Sequence, residues 1–183
     1  MRSDVRERMI DASVALLATK GVEGASFADV LAAAGAPRGS VYHHFPGGKT
    51  ELLHAALERA SERGLAIMEA SRGQAPVAVA GHFLDLWRTL LDRSSLSAGC
   101  AVLAVTVAAD DDKLLDHAGG VFRTWTDRLN DLLVAGEMAP AAADELAVML
   151  VAASEGAVAM SRAQRSREPF DRVSETLLRL AKS

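Results

Sequence analysis

Several residue types are scarce in this chain of 183 residues, and each scarcity removes a class of protein. There is one cysteine, Cys100, so neither an internal disulfide nor a cysteine-based zinc site can form. Aromatic residues make up only 4% while half of the residues are hydrophobic, with alanine and leucine dominant. That balance favours helices over sheets. The longest apolar run, around Ala101 to Ala109, is too short to cross a bilayer, and the charged opening Met1-Arg-Ser-Asp is no signal peptide. A reduced cytoplasm and no membrane partner are expected. The net charge of −4 excludes a generally basic nucleic-acid coat protein.

One local absence points the other way. From Val30 to Thr50 there is no Asp or Glu, although Arg38 and Lys49 lie inside that window. Residues 1–49 carry a net +1 and the remainder −5. Phosphate oxygens repel carboxylates, so an acid-free window suits a surface that meets DNA. The residues within it read as two short helices joined by a tight turn. Ser26 is placed as an N-cap with Asp29 as its capping partner, and Val30, Leu31 and Ala34 make the apolar face. Gly35 can end the first helix in the left-handed conformation. Pro37 suits the first turn of the second helix, where a missing N–H costs nothing.

That arrangement is a helix-turn-helix, whose second helix can enter a major groove. Arg38 can reach a guanine edge with two donors. Gly39 removes a side chain where the backbone would come close to DNA. Ser40, Tyr42, His43 and His44 offer neutral donors to phosphates or base edges, while Val41 and Phe45 face inward. Lys49 and the N-terminus of the next helix would face a phosphate.

The run Ala34-Gly35-Ala-Pro-Arg-Gly39-Ser40-Val-Tyr42-His-His44-Phe45, followed by Lys49, resembles the DNA-binding domain of the TetR/AcrR family over roughly residues 5–57. Two departures stand out. Gly47-Gly48 lengthens the link to Lys49 by one residue, and Leu31 occupies a position where alanine is usual. With Gly99-Cys100, these features are similar to the LmrA/YxaF-like subgroup. The resemblance implies an all-α protein of about nine helices. An N-terminal three-helix DNA-binding domain (1–49) would precede a ligand-binding and dimerisation domain (50–183), with the fourth helix linking them. It also implies double-stranded operator DNA, a small apolar effector and a second copy of the chain as partners, and no cofactor. The DNA-binding candidates are Ser26, Pro37, Arg38, Gly39, Ser40, Tyr42, His43, His44 and Lys49.

Beyond the motif, apolar periodicity predicts helices over about 3–20, 50–71, 77–92, 114–135, 140–166 and 169–182. The apolar stretch 100–109 has no clear period, and its helical neighbours favour a helix. Gly64 interrupts the fourth helix as a place for bending. Phe83 and Trp87 on one helix, Phe122 and Trp125 on another, and Met68 and Cys100 as neighbours are the ligand-pocket candidates. Each such residue more often simply fills a core. The small residues of the penultimate helix, from Ala147 to Ser161, allow close helix–helix approach. They resemble the family's four-helix dimer interface, to which the last helix also contributes. Glu155 within that stretch could be an interface or pocket group, or merely exposed.

Three other readings have less support. Pro46-Gly-Gly-Lys-Thr50 is similar to part of a phosphate-binding loop, but its first glycine is replaced by His43 and no strand precedes it. A helical enzyme would have to draw on Cys100, His82, His117 and Glu155, which form no nucleophile–base or metal-ligand spacing. A helical interaction module without DNA binding is opposed by the intact Arg38, Tyr42 and Lys49.

Overall fold

The computed structural model describes the backbone of residues 2–182 and the side chains of 5–182. Among the described residues there are nine helices and no strand. They are α1 (Arg2–Lys20), α2 (Phe27–Ala34), α3 (Ser40–His44), α4 (Gly48–Glu69) and α5 (Pro76–Arg93), then α6 (Ala101–Ala108), α7 (Asp112–Ala135), α8 (Pro140–Gln164) and α9 (Glu168–Leu180). The ambiguous stretch after Cys100 is helical, as its context favoured. Local chemistry sets the boundaries. Pro76 and Pro140 occupy first-turn positions, where a missing donor is no loss. Asp111 accepts the Lys113 N–H at 2.8 Å and so starts α7 two residues before the expected Leu114.

Two compact units emerge, drawn differently from a division at residue 49. The first comprises residues 1–61 and 100–121, the second residues 62–99 and 122–183. In the first, Met9, Ile10, Val30, Leu31, Val41 and Phe45 form a shared core with Leu52. Leu31, unusual for the family, is part of that core. The Arg8 guanidinium donates to the Ala34 carbonyl at 3.0 Å, satisfying an orphan acceptor at the end of α2. Arg59 on α4 grips Glu7 and Asp11 on α1. The Glu7 hydrogen bond, against the opposing effect of burial and helped by the Asp11 charge, raises the guanidinium above its ordinary value.

In the second unit, α5 buries Val79, Ala80, Phe83, Leu84, Trp87 and Leu91, and packs against α8 and α9, which also pack together. α4 runs through Gly64 as one continuous helix. Packing is the reason for this glycine: a Cβ there would lie 2.8 Å from the Trp125 indole nitrogen. α8 is long and apolar enough, by length and composition, to cross a membrane, although its apolar residues form no uninterrupted run. Half of that window is buried within the fold.

Candidate DNA interface and ligand cavity

The geometry of the α2–α3 region follows from its caps. Ser26 accepts the Asp29 N–H at 3.2 Å and donates its own hydrogen to the Asp29 carboxylate. Its hydroxyl therefore has one remaining lone pair and no spare donor. Gly35 adopts φ +59°, and the cap amides reach the carbonyls of Ala32 and Leu31. Pro37 is not in the first turn of α3. The helix begins at Ser40, and Pro37 opens the preceding turn, its carbonyl accepting the Ser40 N–H at 2.9 Å. The ring restricts Ala36 to extended backbone, which carries the chain out of the Gly35 cap before α3 can start.

That turn exposes Pro37, Arg38 and Gly39 together, with Tyr42 and His43 also exposed and Ser40 and His44 half-buried. Val41 and Phe45, at 2% and 0% exposure, hold the helix down from the opposite side. Tyr42, the only tyrosine, is 76% exposed, with its ring 6.5 Å from that of Phe27. His43 and His44 stand edge to face with centroids 5.0 Å apart. Gly39 has φ −70° and ψ −10°, which any residue adopts, and a Cβ there meets nothing within 4 Å. Nothing inside the protein requires glycine at this position.

Lys49 is placed differently from a free phosphate ligand. Its ammonium donates to the Val22 carbonyl at 2.8 Å, tying the start of α4 to the turn after α1. The Glu51 carboxylate accepts the Gly47 N–H at 2.7 Å. An acid thus occupies the positive end of α4, where an anion is favoured. Gly48, the next residue, takes φ +76°, a conformation that favours glycine.

The aromatic candidates of the second unit are packed rather than open. Met68, Phe83, Trp87 and Trp125 are all at most 3% exposed, and Phe122 is half-buried. Phe83 meets Trp87 edge-on at 6.2 Å, and Phe122 meets Trp125 edge-on at 6.0 Å. The Trp87 indole N–H is buried without a hydrogen-bond partner among the described residues. Cys100 belongs to the first unit, where its Sγ caps α6 by accepting the Leu103 N–H. Glu155 is buried at 6% exposure, which removes the merely exposed alternative.

Open space in the second unit lies on the other side of α5. A cavity of about 620 Å³ is lined by Ile67, Leu86 and Leu90, with Arg63, Asp85 and Arg93 among its other lining residues. Sequence reasoning missed it, because Leu86 and Leu90 look like ordinary core positions. It also missed a pair in the first unit: the Nδ1 atoms of His54 and His117 are 2.7 Å apart, and Glu58 lies 3.5 Å from His117 Nε2. No spacing rule links positions so far apart in the chain. Among the described residues, no three His, Cys, Asp or Glu side chains are grouped to hold a metal ion.

A short exposed helix, set by a glycine-capped partner and backed by an apolar core, defines a helix-turn-helix DNA-binding regulator. The chain belongs to the tetR family of bacterial regulatory proteins, whose model matches residues 9–65, and the LmrA/YxaF-like transcriptional regulator C-terminal domain matches residues 76–176. An uncharacterized HTH-type transcriptional regulator of Mycobacterium tuberculosis is 35% identical over 182 residues, covering 96% of this chain and 93% of its own. A TetR transcriptional regulator from Chloroflexus aurantiacus superposes with a TM-score of 0.77 at 28% identity, covering 97% and 95% of the two chains. The regulatory protein TetR from Rhodobacter sphaeroides superposes at 0.83 with 24% identity, covering 94% and 96%. These relatives are regulators of transcription and not enzymes.

Proposed function

We propose that this DNA-binding regulator is a homodimeric cytoplasmic repressor that a small effector releases from a pseudo-palindromic operator. The observation that carries the reading is Gly39. It is a glycine with no internal cause, in an exposed surface that includes Arg38 and Tyr42 and has no acid between Val30 and Thr50. Close approach of a backbone to DNA supplies the missing cause. Arg38 pairs with a base edge or phosphate, Tyr42 and the histidines donate to phosphates, and Ser26 and Pro37 set the turn. Lys49 exchanges its bond to Val22 for a phosphate oxygen. Residues 1–49 form the functional DNA-binding part and residues 50–183 the part that senses and dimerises.

The homodimer is supported by the outward side of α8. Val148, Ala152, Gly156, Ala159 and Ala163 recur at helical spacing, with Met149 and Met160 beside them, and all are exposed. A solitary protomer would leave this small apolar stripe in water, and a second copy would bury it. Two recognition helices about 34–36 Å apart then read successive major grooves. Release requires the effector to prefer the DNA-free conformation.

The experiment is binding of the full chain to its own upstream intergenic DNA, titrated with salt and against scrambled competitor. Selective binding at two protomers or a multiple per site, weakening steeply with salt, is expected. Tyr42→Phe and Lys49→Ala should each weaken it while the dimer stays folded. Full affinity in both variants would overturn the contact assignment.

A further inference from the structure

The histidine pair of the first unit has a geometry that DNA binding does not use. His54 on α4 and His117 on α7 bring their Nδ1 atoms to 2.7 Å, with ring planes 19° apart and centroids 5.0 Å apart. The centroid distance exceeds the nitrogen distance by two ring radii. The rings therefore meet edge to edge in nearly one plane, rather than face to face, and each Nδ1 points straight at the other. A neutral imidazole carries one N–H and one lone pair. One shared proton is thus all that stands between two converging lone pairs.

Glu58, one turn after His54 on α4, places a carboxylate oxygen 3.5 Å from His117 Nε2. That contact favours the His117 tautomer with its proton on Nε2, which leaves the Nδ1 lone pair facing His54. A carboxylate behind the far nitrogen is the arrangement that orients metal-bound imidazoles. The pair is half-buried, with the His117 side chain 26% exposed, so an ion can reach it from solvent. The neighbouring Leu53, Leu57, Leu114 and Ala118 are buried and anchor both helices. Within one turn of either histidine along its own helix, Glu51, Glu58 and Asp116 stand against Lys113 alone, a balance that favours a cation.

We propose that His54 and His117 bind a divalent ion of the zinc, nickel and copper group in place of their shared proton, with Glu58 positioning His117. Imidazole nitrogen suits these ions, whereas magnesium and calcium take oxygen. The shared proton leaves to solvent, and each Nδ1 lone pair then donates to the ion. No third His, Cys, Asp or Glu completes the set among the described residues, so water fills the remaining positions. Bonds of about 2.0–2.1 Å need the nitrogens about 3.3–4.1 Å apart, so the ion must spread the pair from its 2.7 Å contact. α4 and α7 both continue from the first unit into the second, so that spreading acts on two helices that both units share. The regulatory meaning rests on the proposed repressor function, and it changes the expected effector from an apolar molecule to a metal ion.

Calorimetric titration of the full chain, without an affinity tag, with zinc and nickel against magnesium tests the site. One zinc or nickel ion per protomer is expected, with magnesium unbound. His54→Ala and His117→Ala should each abolish binding. Glu58→Gln changes an exposed side chain and should weaken zinc by about tenfold without moving the unfolding midpoint. Copper(II) on the chain should show the splitting of two imidazole nitrogens in its electron paramagnetic resonance spectrum. No binding of zinc or nickel, full affinity in either alanine variant, or a copper spectrum without two nitrogens would each overturn the site. Full zinc affinity in Glu58→Gln would overturn its positioning role. Operator release is read in parallel. Zinc that binds without altering operator affinity supports the site and removes its effector role. Zinc-driven release that persists in both alanine variants overturns that role as well. Zinc binding by a chain that selects no operator supports the site and overturns the repressor function.

Discussion

Gly64, on α4 in the second unit, and Gly39, before α3 in the first, are absent a side chain for opposite reasons. A Cβ on Gly64 would stand 2.8–3.1 Å from three atoms of the Trp125 indole, so the protein's own packing forbids one. A Cβ on Gly39 would meet nothing within 4 Å, and the backbone there is ordinary αR. The first glycine is explained by the fold. The second needs something outside the chain. Gly156 on α8 is of the second kind: it is exposed, lies mid-helix where glycine is unfavourable, and has open space at its Cβ. Both glycines with open space at Cβ lie on surfaces proposed to meet partners, Gly39 to meet DNA and Gly156 a second copy.

The largest expected break in this comparison is at Gly156. Gly156→Leu should leave the isolated protomer folded, because the side chain enters open space and leucine is the better helix former by about 0.8 kcal/mol. In a close-packed dimer, the same side chain must displace the partner helix. An overpacking cost of about 1–3 kcal/mol per copy, felt twice across a two-fold axis, predicts dimer dissociation about thirtyfold easier or more, by roughly 1.4 kcal/mol per factor of ten. Analytical ultracentrifugation over a concentration series reads this directly. An unchanged dimer would remove α8 from the interface.

Gly64→Val should act on stability alone. The added carbons press on the rigid Trp125 ring rather than on a flexible chain end, so about 1–3 kcal/mol of destabilisation is expected. Urea unfolding of the variant should show it as a lower midpoint with an unchanged slope. No loss would mean that Trp125 has room to move, and that the crowding at Gly64 does not explain the glycine.

Most of the fold was legible because its signals are local. The Ser26–Asp29 cap, the left-handed Gly35 and the prolines opening α5 and α8 each depend on a few neighbouring residues. The exposed candidates Arg38, Gly39 and Tyr42 were legible for the same reason, since an inward-facing Val41 and Phe45 leave them only the outer side. What stayed hidden depends on packing. The contact that requires Gly64 is with Trp125, 61 positions away. The Lys49 bond to the Val22 carbonyl is to a backbone acceptor, which carries no sequence signature. The expected ligand residues were correctly apolar and helical in spacing, but spacing cannot separate a filled core from a cavity. The groove beside α5 takes in Leu86 and Leu90, whose spacing reads like that of core positions.

Gly39→Asn is the smallest change in stability and the sharpest test of the distinction. Asparagine is a stronger N-cap than glycine by a few tenths of a kcal/mol, since its side-chain oxygen can accept an N–H from the first turn. Gly39 caps α3 with no side-chain hydrogen bond at present. On internal grounds alone, the variant should therefore be as stable as the parent or slightly more so. If the glycine is there for DNA, the same substitution should weaken operator binding by about tenfold or more, because a side chain would hold the backbone away from phosphates by more than hydrogen-bond reach. The two readouts must then move in opposite directions. A variant that gains stability and keeps its operator affinity would show that Gly39 has no external cause either, and the exposed turn would lose its strongest link to DNA.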